Sequence, residues 1–351
     1  MIKRVWALGV FYGYLMLSTV TAFLSTEPLH AASPSAAKAE SIDDLYEKVK
    51  KEGAQLTLYI ALSARSEEII LPIFRKRFPA IQINHIDATS DKLVARILAE
   101  QRGGRVIGDV FGGTPGYLAQ MTEQKLLAPL LVPEAAPYPA TLKGAEWIAT
   151  DTQFFIAGWN TGFVKKGEEP KQFEDFADPK WKGKMIAEPR DFQLLMGLAK
   201  RKYKSDEKAV ELLKKVAANN VEFHKGHSQL AELLVAGQAP VCLTCYSHHF
   251  PPRIKKGAPV QALLTEGVGE VGGSVAILKG APHPLAALLW ARWAVSEEGQ
   301  KAYAQAGETP AHPSVEPLEK TRPSTVYMLA TEEVKEFPKY EKMWKEIFGL
   351  R

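Results

Sequence analysis

The chain has 351 residues, 46% of them hydrophobic and 24% charged, an ordinary globular composition with length enough for two separate cores. The 44 basic and 40 acidic residues leave a formal net charge of +4 and form no Lys/Arg run, which argues against nucleic acid or an anionic membrane as a partner. Two cysteines, Cys242 and Cys245, are too few for a disulfide scaffold.

The first residues read as an export signal. Lys3 and Arg4 precede an uncharged, mostly apolar run at 5–23, and an Ala/Ser/Pro-rich stretch follows at 25–39. Small residues suit cleavage after Ala22, Ala31 or Ala32, so 1–32 is expected to be removed; the alternative is an uncleaved anchor. No Cys follows the run, so a lipid-modified N-terminal Cys is not expected. These features place the mature protein, a soluble monomer, in the periplasm.

Beyond the leader, Ser41-Ile42-Asp43-Asp44 starts a capped amphipathic helix running to about Lys51. Strands are predicted at 55–60, 81–86 and 106–111, with helices at 66–78, 90–101 and 117–124 between and after them. A second alternation has strands at 152–159, 184–187, 240–244 and 274–278. Its helices fall at 192–202, 206–217, 228–235, 285–295 and 298–306, and a last helical pattern covers 331–348. Strands alternating with helices imply an α/β fold with a mostly parallel sheet covered on both faces.

Three turns share one design. Leu62 to Ser66, Asp87 to Ser90 and Gly112 to Thr114 each sit where a strand ends and a helix begins, with Ser66, Ser90 and Thr114 as the expected N-caps. Ligands of open α/β sheets gather at such strand ends, where helix N-termini offer free N–H groups to an anion.

From about Gly53 to Pro313 the sequence resembles the ferric-iron type of periplasmic solute-binding protein that serves ABC importers. The resemblance is carried by Gly108-Asp109-Val110-Phe111, Trp159-Asn160-Thr161, Asp178-Pro179-Lys180-Trp181-Lys182-Gly183-Lys184, Ala236-Gly237-Gln238-Ala239-Pro240, Lys256-Gly257-Ala258-Pro259 and Ser296-Glu297-Glu298-Gly299-Gln300. It implies a two-lobed periplasmic-binding-protein fold of type II, with a ligand cleft, hinge closure and delivery to a membrane permease. On that reading 41–152 with about 278–325 forms lobe 1, and 153–277 with about 326–351 forms lobe 2.

The resemblance also implies iron ligands, and here they fail in register. Ser63 stands at the His position of the first turn and Thr114 at the acidic position after the third strand. Ser247-His248 stands where a tyrosine pair is expected, with Tyr246 one place early. Ferric iron held in the usual way is therefore not expected.

Cys242 to Phe250 should face the cleft, gathering His227, Tyr246 and His248 near the helix at Ser228. Tyr246 and His248 are the candidate metal ligands, for ferric iron or zinc with an accompanying anion. Positions three apart in a regular strand point to opposite faces, which argues against joint metal ligation by Cys242 and Cys245 and equally against a disulfide between them. The other reading is an organic carboxylate, phosphonate or similar anion. Arg65 and Arg190 would pair with it, while Ser63, Ser90, Thr114, Gln153, His227, Ser228, Tyr246 and His248 would complete a polar shell. Arg190 has the alternative of pairing with Glu188 or Asp191. Trp147, Trp159 and Trp181 read as packing, and His85, His283 and His312 as structural or solvent-exposed. No nucleophile elbow, metal-helix motif or thioredoxin-like context appears, so a binding protein is expected rather than a zinc or thiol enzyme. A ligand sensor without transport would share the fold.

Overall fold

The computed structural model describes residues 40–351; the export signal and its cleavage positions lie outside them. Helix α1 (Ile42–Glu52) opens the chain with a Ser41/Asp44 capping box. Three strand–helix units follow: β1 (Gln55–Ile60), α2 (Ala64–Arg77), β2 (Gln82–His85), α3 (Ser90–Arg102), β3 (Val110–Gly112) and α4 (Pro115–Glu123). Next comes a long strand, β4 (Trp147–Asn160), then β5 (Met185–Ala187), α5 (Phe192–Gly197), α6 (Asp206–Ala217), β6 (Glu222–Phe223), α7 (His227–Val235) and β7 (Val241–Tyr246). The remainder is α8 (Phe250–Lys255), β8 (Val260–Ala262), a second long strand β9 (Glu266–Ile277), α9 (Pro284–Val295), α10 (Glu297–Ala306), β10 (Thr325–Met328) and α11 (Phe337–Phe348).

Strands run in the order β2-β1-β3-β9-β4-β7-β5-β6. Pairing is parallel toward both ends, where β1 joins β2 and β3, and β5 joins β6 and β7. It is antiparallel at the centre, where β4 and β9 pair along most of their length. One apolar core draws on 45–149 and 271–311. Two more, on 155–268 with Leu329, Tyr340 and Trp344 and on 154–260, cover the second part of the sheet. Among the described residues only β4 and β9 run through from one part to the other, which makes them the crossing strands of a two-lobed α/β fold.

The motifs that carry the resemblance turn out to hold the scaffold. Asp109, buried between β1 and α9, accepts from the Thr57 N–H (2.7 Å) and the His283 N–H (2.8 Å). Asp178 caps the turn at Pro179–Trp181, and Asn219 clamps the carbonyls of Phe176 and Asp178. Trp147, Trp159 and Trp181 are buried.

Of the three expected helix caps, Thr114 stands before α4 as expected and the other two differ. Ser63, not Ser66, caps α2, and Thr89, not Ser90, precedes α3; Ser66 and Ser90 are buried within the first turn of their helices. Likewise α7 begins at His227, entered through Gly226 at φ 95°. The cysteines also differ, for they form a disulfide with Cα atoms 6.2 Å apart. A bulge makes it possible: Cys245 and Cys242 face Ile156 and Gly158, three steps along β7 against two along β4. The extra residue restores both side chains to one face, where Cys242 and Cys245 share a core with Ile156, Ile186 and Phe250.

Candidate functional site

In the second lobe β7 ends at Tyr246, and the chain turns at once through Ser247–His249 into α8. The Tyr246 ring lies on the His227 imidazole, with centroids 3.7 Å apart and planes 16° from parallel. His248 stacks near Tyr246 at 5.4 Å, and Phe155 packs edge-on to it at 5.2 Å. His227 is fixed by buried Asp191, whose Oδ2 lies 3.0 Å from the ring Nε2. The Asp191 loop is itself held by Thr244, whose Oγ1 accepts from the Glu188 N–H at 3.1 Å.

Arg190 and Gln153 serve this scaffold. The Arg190 side chain is 69% exposed and pairs at 2.6 Å with Glu188, which is 1% exposed, so the guanidinium neutralises a buried carboxylate. Gln153 on β4 donates to Glu270 on the facing position of β9 at 2.5 Å.

Burial decides the charge of the cluster. Together with the Glu270, Asp191 and Glu188 carboxylates it drives the Tyr246 hydroxyl well above its ordinary range, so the phenol stays neutral. Burial raises Asp191 and pushes Glu270 up to about 7. Burial, reinforced by nearby imidazoles and Arg253, pushes His248 down to about 4 and His249 down to about 3. Both rings are neutral at pH 7.

The turn leaves several polar atoms without protein partners among the described residues. Ser247 Oγ and His249 Nδ1 are buried with no hydrogen bond. The Tyr246 hydroxyl and the His248 ring make none among the described residues.

Beside this turn is a cavity of about 360 Å³. Ser63, Arg65 and Glu308 line one side, and His248, His249, Arg253 and Lys255 the other. Ser66 donates to Glu308 Oε1 at 2.6 Å and shares a 2.7 Å hydroxyl–hydroxyl bond with Ser63. Arg253 is held by the His249 carbonyl and Glu232, and Lys255 by Glu319. Arg65 makes no ion pair among the described residues. Thus the structure joins Ser63, Arg65 and His248 in one cavity, with His227 and Tyr246 stacked behind His248. Ser90 is buried, Thr114 and Ser228 are exposed, and none of the three lines that cavity.

Glu308, Arg253, His249 and Glu270 were not among the expected site residues, and Asp191 was expected only as a partner of Arg190. Only His249 carried a signal, as the second of paired histidines after Tyr246. Among the described residues no three His, Cys, Asp or Glu side chains converge to hold a metal ion, and the disulfide occupies both sulfurs.

Three comparisons bear on this geometry. A family described as bacterial extracellular solute-binding protein matches residues 72–328. An uncharacterised protein of Haemophilus influenzae is 29% identical over 251 residues, covering 65% of this chain and 69% of its own length. The fold is similar to that of Bordetella ferric binding protein, with a TM-score of 0.70 and 20% identity over 84% of this chain and 98% of that one. It is also similar to the periplasmic binding protein AfuA from Actinobacillus pleuropneumoniae with exogenous fructose-6-phosphate bound, at a TM-score of 0.59 and 22% identity over 84% and 96% of the two chains. At such identities the likeness to these structures is one of fold. The family match spans both lobes and the two strands that cross between them, and the chain therefore belongs to the bacterial extracellular solute-binding proteins.

Proposed function

We propose that this chain is the periplasmic solute-binding component of an ABC importer, taking up a small anionic solute between its lobes and delivering it to a membrane permease. The solute class is an organic carboxylate, phosphate ester or phosphonate.

The observation that carries this reading is the cavity that His248 and His249 share with Arg65, which makes no ion pair among the described residues, together with the unpartnered Tyr246 hydroxyl and Ser247 Oγ in the same turn. A buried polar group with no partner costs about 1–3 kcal/mol, so a ligand that satisfies several at once recovers much of its binding energy there. Arg65 offers a planar fork to a carboxylate or phosphate, and Ser63 adds a hydroxyl. The cavity is also of a size that suits a small molecule. The neutral Tyr246 phenol favours hydrogen bonding to oxygen over service as a phenolate ligand. Asp191 and the Tyr246 ring hold His227 in one orientation. Ligand contacts from both sides would favour the closed state in proportion to their differential affinity for it. The bend would fall where β4 and β9 pass between the cores, near Asp151 to Gln153 and Glu270 to Gly273. The family and its relatives support transport over catalysis.

Elemental analysis of the purified protein, followed by thermal shifts with inorganic phosphate, a hexose 6-phosphate, citrate and a ferric chelate, tests the proposal. Stabilisation of iron-free protein by one of the organic anions or phosphate is expected. Iron at one equivalent per chain, or stabilisation by the ferric chelate alone, would overturn it in favour of a metal cargo.

A further inference from the structure

We propose that the Cys242–Cys245 disulfide is a positioning element of the ligand site: it holds the bulge in β7 that sets Thr244 against the Asp191 loop and, through it, the His227–Tyr246 stack. This deepens the reading of the site given above, but its test needs no ligand.

Each link is a direct contact. Both cysteines are fully buried in one core, which a regular strand forbids for positions three apart and the one-residue bulge permits. Leu243 enters the opposite core. Thr244, between Leu243 and Cys245, takes the Glu188 N–H at 3.1 Å and hydrogen-bonds the Asp191 side chain. Asp191 reaches His227 at 3.0 Å, and His227 lies on Tyr246 at 3.7 Å. Removal of the cross-link would let β7 return to regular alternation. That slip would turn Thr244 off the Asp191 loop and shift the register of Tyr246 to His249 against β4.

A general stabilising role explains the bridge less well. Cross-links gain least from loop closure when the loop is short, and this one is separated by three positions. Burial also keeps solvent reductants from the sulfurs, which marks a permanent fixture rather than a redox switch.

The first test is non-reducing denaturation and alkylation of full-length protein purified from the periplasm. Mass spectrometry should find no alkylated cysteine, and two alkylated thiols would overturn the proposal. The second compares wild type with a Cys242→Ala/Cys245→Ala variant by NMR of the histidine ring protons. The His227 signal should lose the ring-current shift that the Tyr246 face imposes. His312, which packs edge-on against Tyr138 at 5.4 Å in the other lobe, should keep its own. A folded variant whose His227 signal stays in place sinks the proposal. Should the double variant fail to fold, Thr244→Val with the disulfide intact must move the His227 signal in the same way, and its failure to do so overturns the proposal equally. A site that binds none of the tested anions would leave these signals untouched, so the two readings fail separately.

Discussion

Asp151, on crossing strand β4, and Glu308, just past α10, act on one another as a coupled pair of carboxyl groups. Glu308 takes the Ser66 hydroxyl at the cavity, while Asp151 takes the Thr150 hydroxyl at 3.0 Å and a backbone N–H of Gly273 on the other crossing strand. Tyr303 also faces Asp151, and Arg65 faces Glu308. A side chain on Gly272 or Gly273 would fill the space of the Asp151 carboxylate, so glycines there let the acid sit against the strand. The cavity and the crossing strands therefore meet at this pair.

Burial, then the Glu308 charge, pushes Asp151 up to about 8, and burial raises Glu308 as well. The folded chain keeps a proton that the unfolded chain releases near about pH 4. Stability from this source is full below that pH and declines as pH rises toward about 8. Asp151→Asn should therefore flatten the decline. It should match wild type near about pH 4 and exceed it above about pH 8, by about 1.4 kcal/mol for each pH unit by which the carboxyl is raised in solution. Thermal melts of both proteins across that range check it; parallel curves would show that the pair does not share a proton.

Arg65 offers a cleaner separation of binding from folding. Arg65 makes no ion pair among the described residues, but its charge faces buried Glu308, so Arg65→Ala should lower the melting temperature only slightly. It should weaken binding of an anionic probe such as a hexose 6-phosphate or phosphate by about 10- to 100-fold, the worth of a charge-assisted hydrogen bond. Arg65→Lys should recover part of the loss. Calorimetric titration at two salt concentrations checks this, and an unchanged affinity would remove Arg65 from the site.

Lys202 should behave in the opposite way. Its ammonium lies 2.5 Å from Glu174 and 2.8 Å from Glu266, and Glu266 also takes the Tyr327 hydroxyl and the Phe173 N–H. Lys202→Met would strand buried Glu266 without a cation. The expected loss is about 3–5 kcal/mol of stability, with probe affinity unaltered in the folded fraction. Denaturant unfolding measures the first quantity and titration the second.

The alternation of apolar strands with amphipathic helices was legible because each period depends on neighbouring residues alone. Hence α6 falls at Asp206–Ala217 and β1 at Gln55–Ile60, as the pattern predicts. The cavity was legible only in part. Ser63, Arg65 and His248 follow from strand ends, but Glu308 reaches Ser66 across 242 positions, a pairing that no local pattern encodes. For Arg190 the sequence left two readings open, and the burial of Glu188, a tertiary property, decides for the ion pair. The disulfide escaped because strand alternation excludes it, and the bulge that reverses the alternation exists only in the register of β7 against β4.

Tyr246 separates packing from hydrogen bonding within one side chain. Its ring is held by His227, Phe155 and His248, so the aromatic contacts alone fix its orientation. Its hydroxyl contributes nothing to that packing and has no partner among the described residues. Tyr246→Phe keeps the stack and removes the hydroxyl, so melting temperature should hold or rise slightly as an unpaired polar group is lost. If the hydroxyl donates to a bound anion, affinity should fall by about tenfold, the equivalent of one neutral hydrogen bond. Tyr246→Ala would instead free His227 and destabilise the lobe, so the phenylalanine variant is the informative one. Equal affinity of Tyr246→Phe and wild type for every stabilising anion would show that the Tyr246 hydroxyl does not reach the ligand and that the ring serves only to hold His227 and His248.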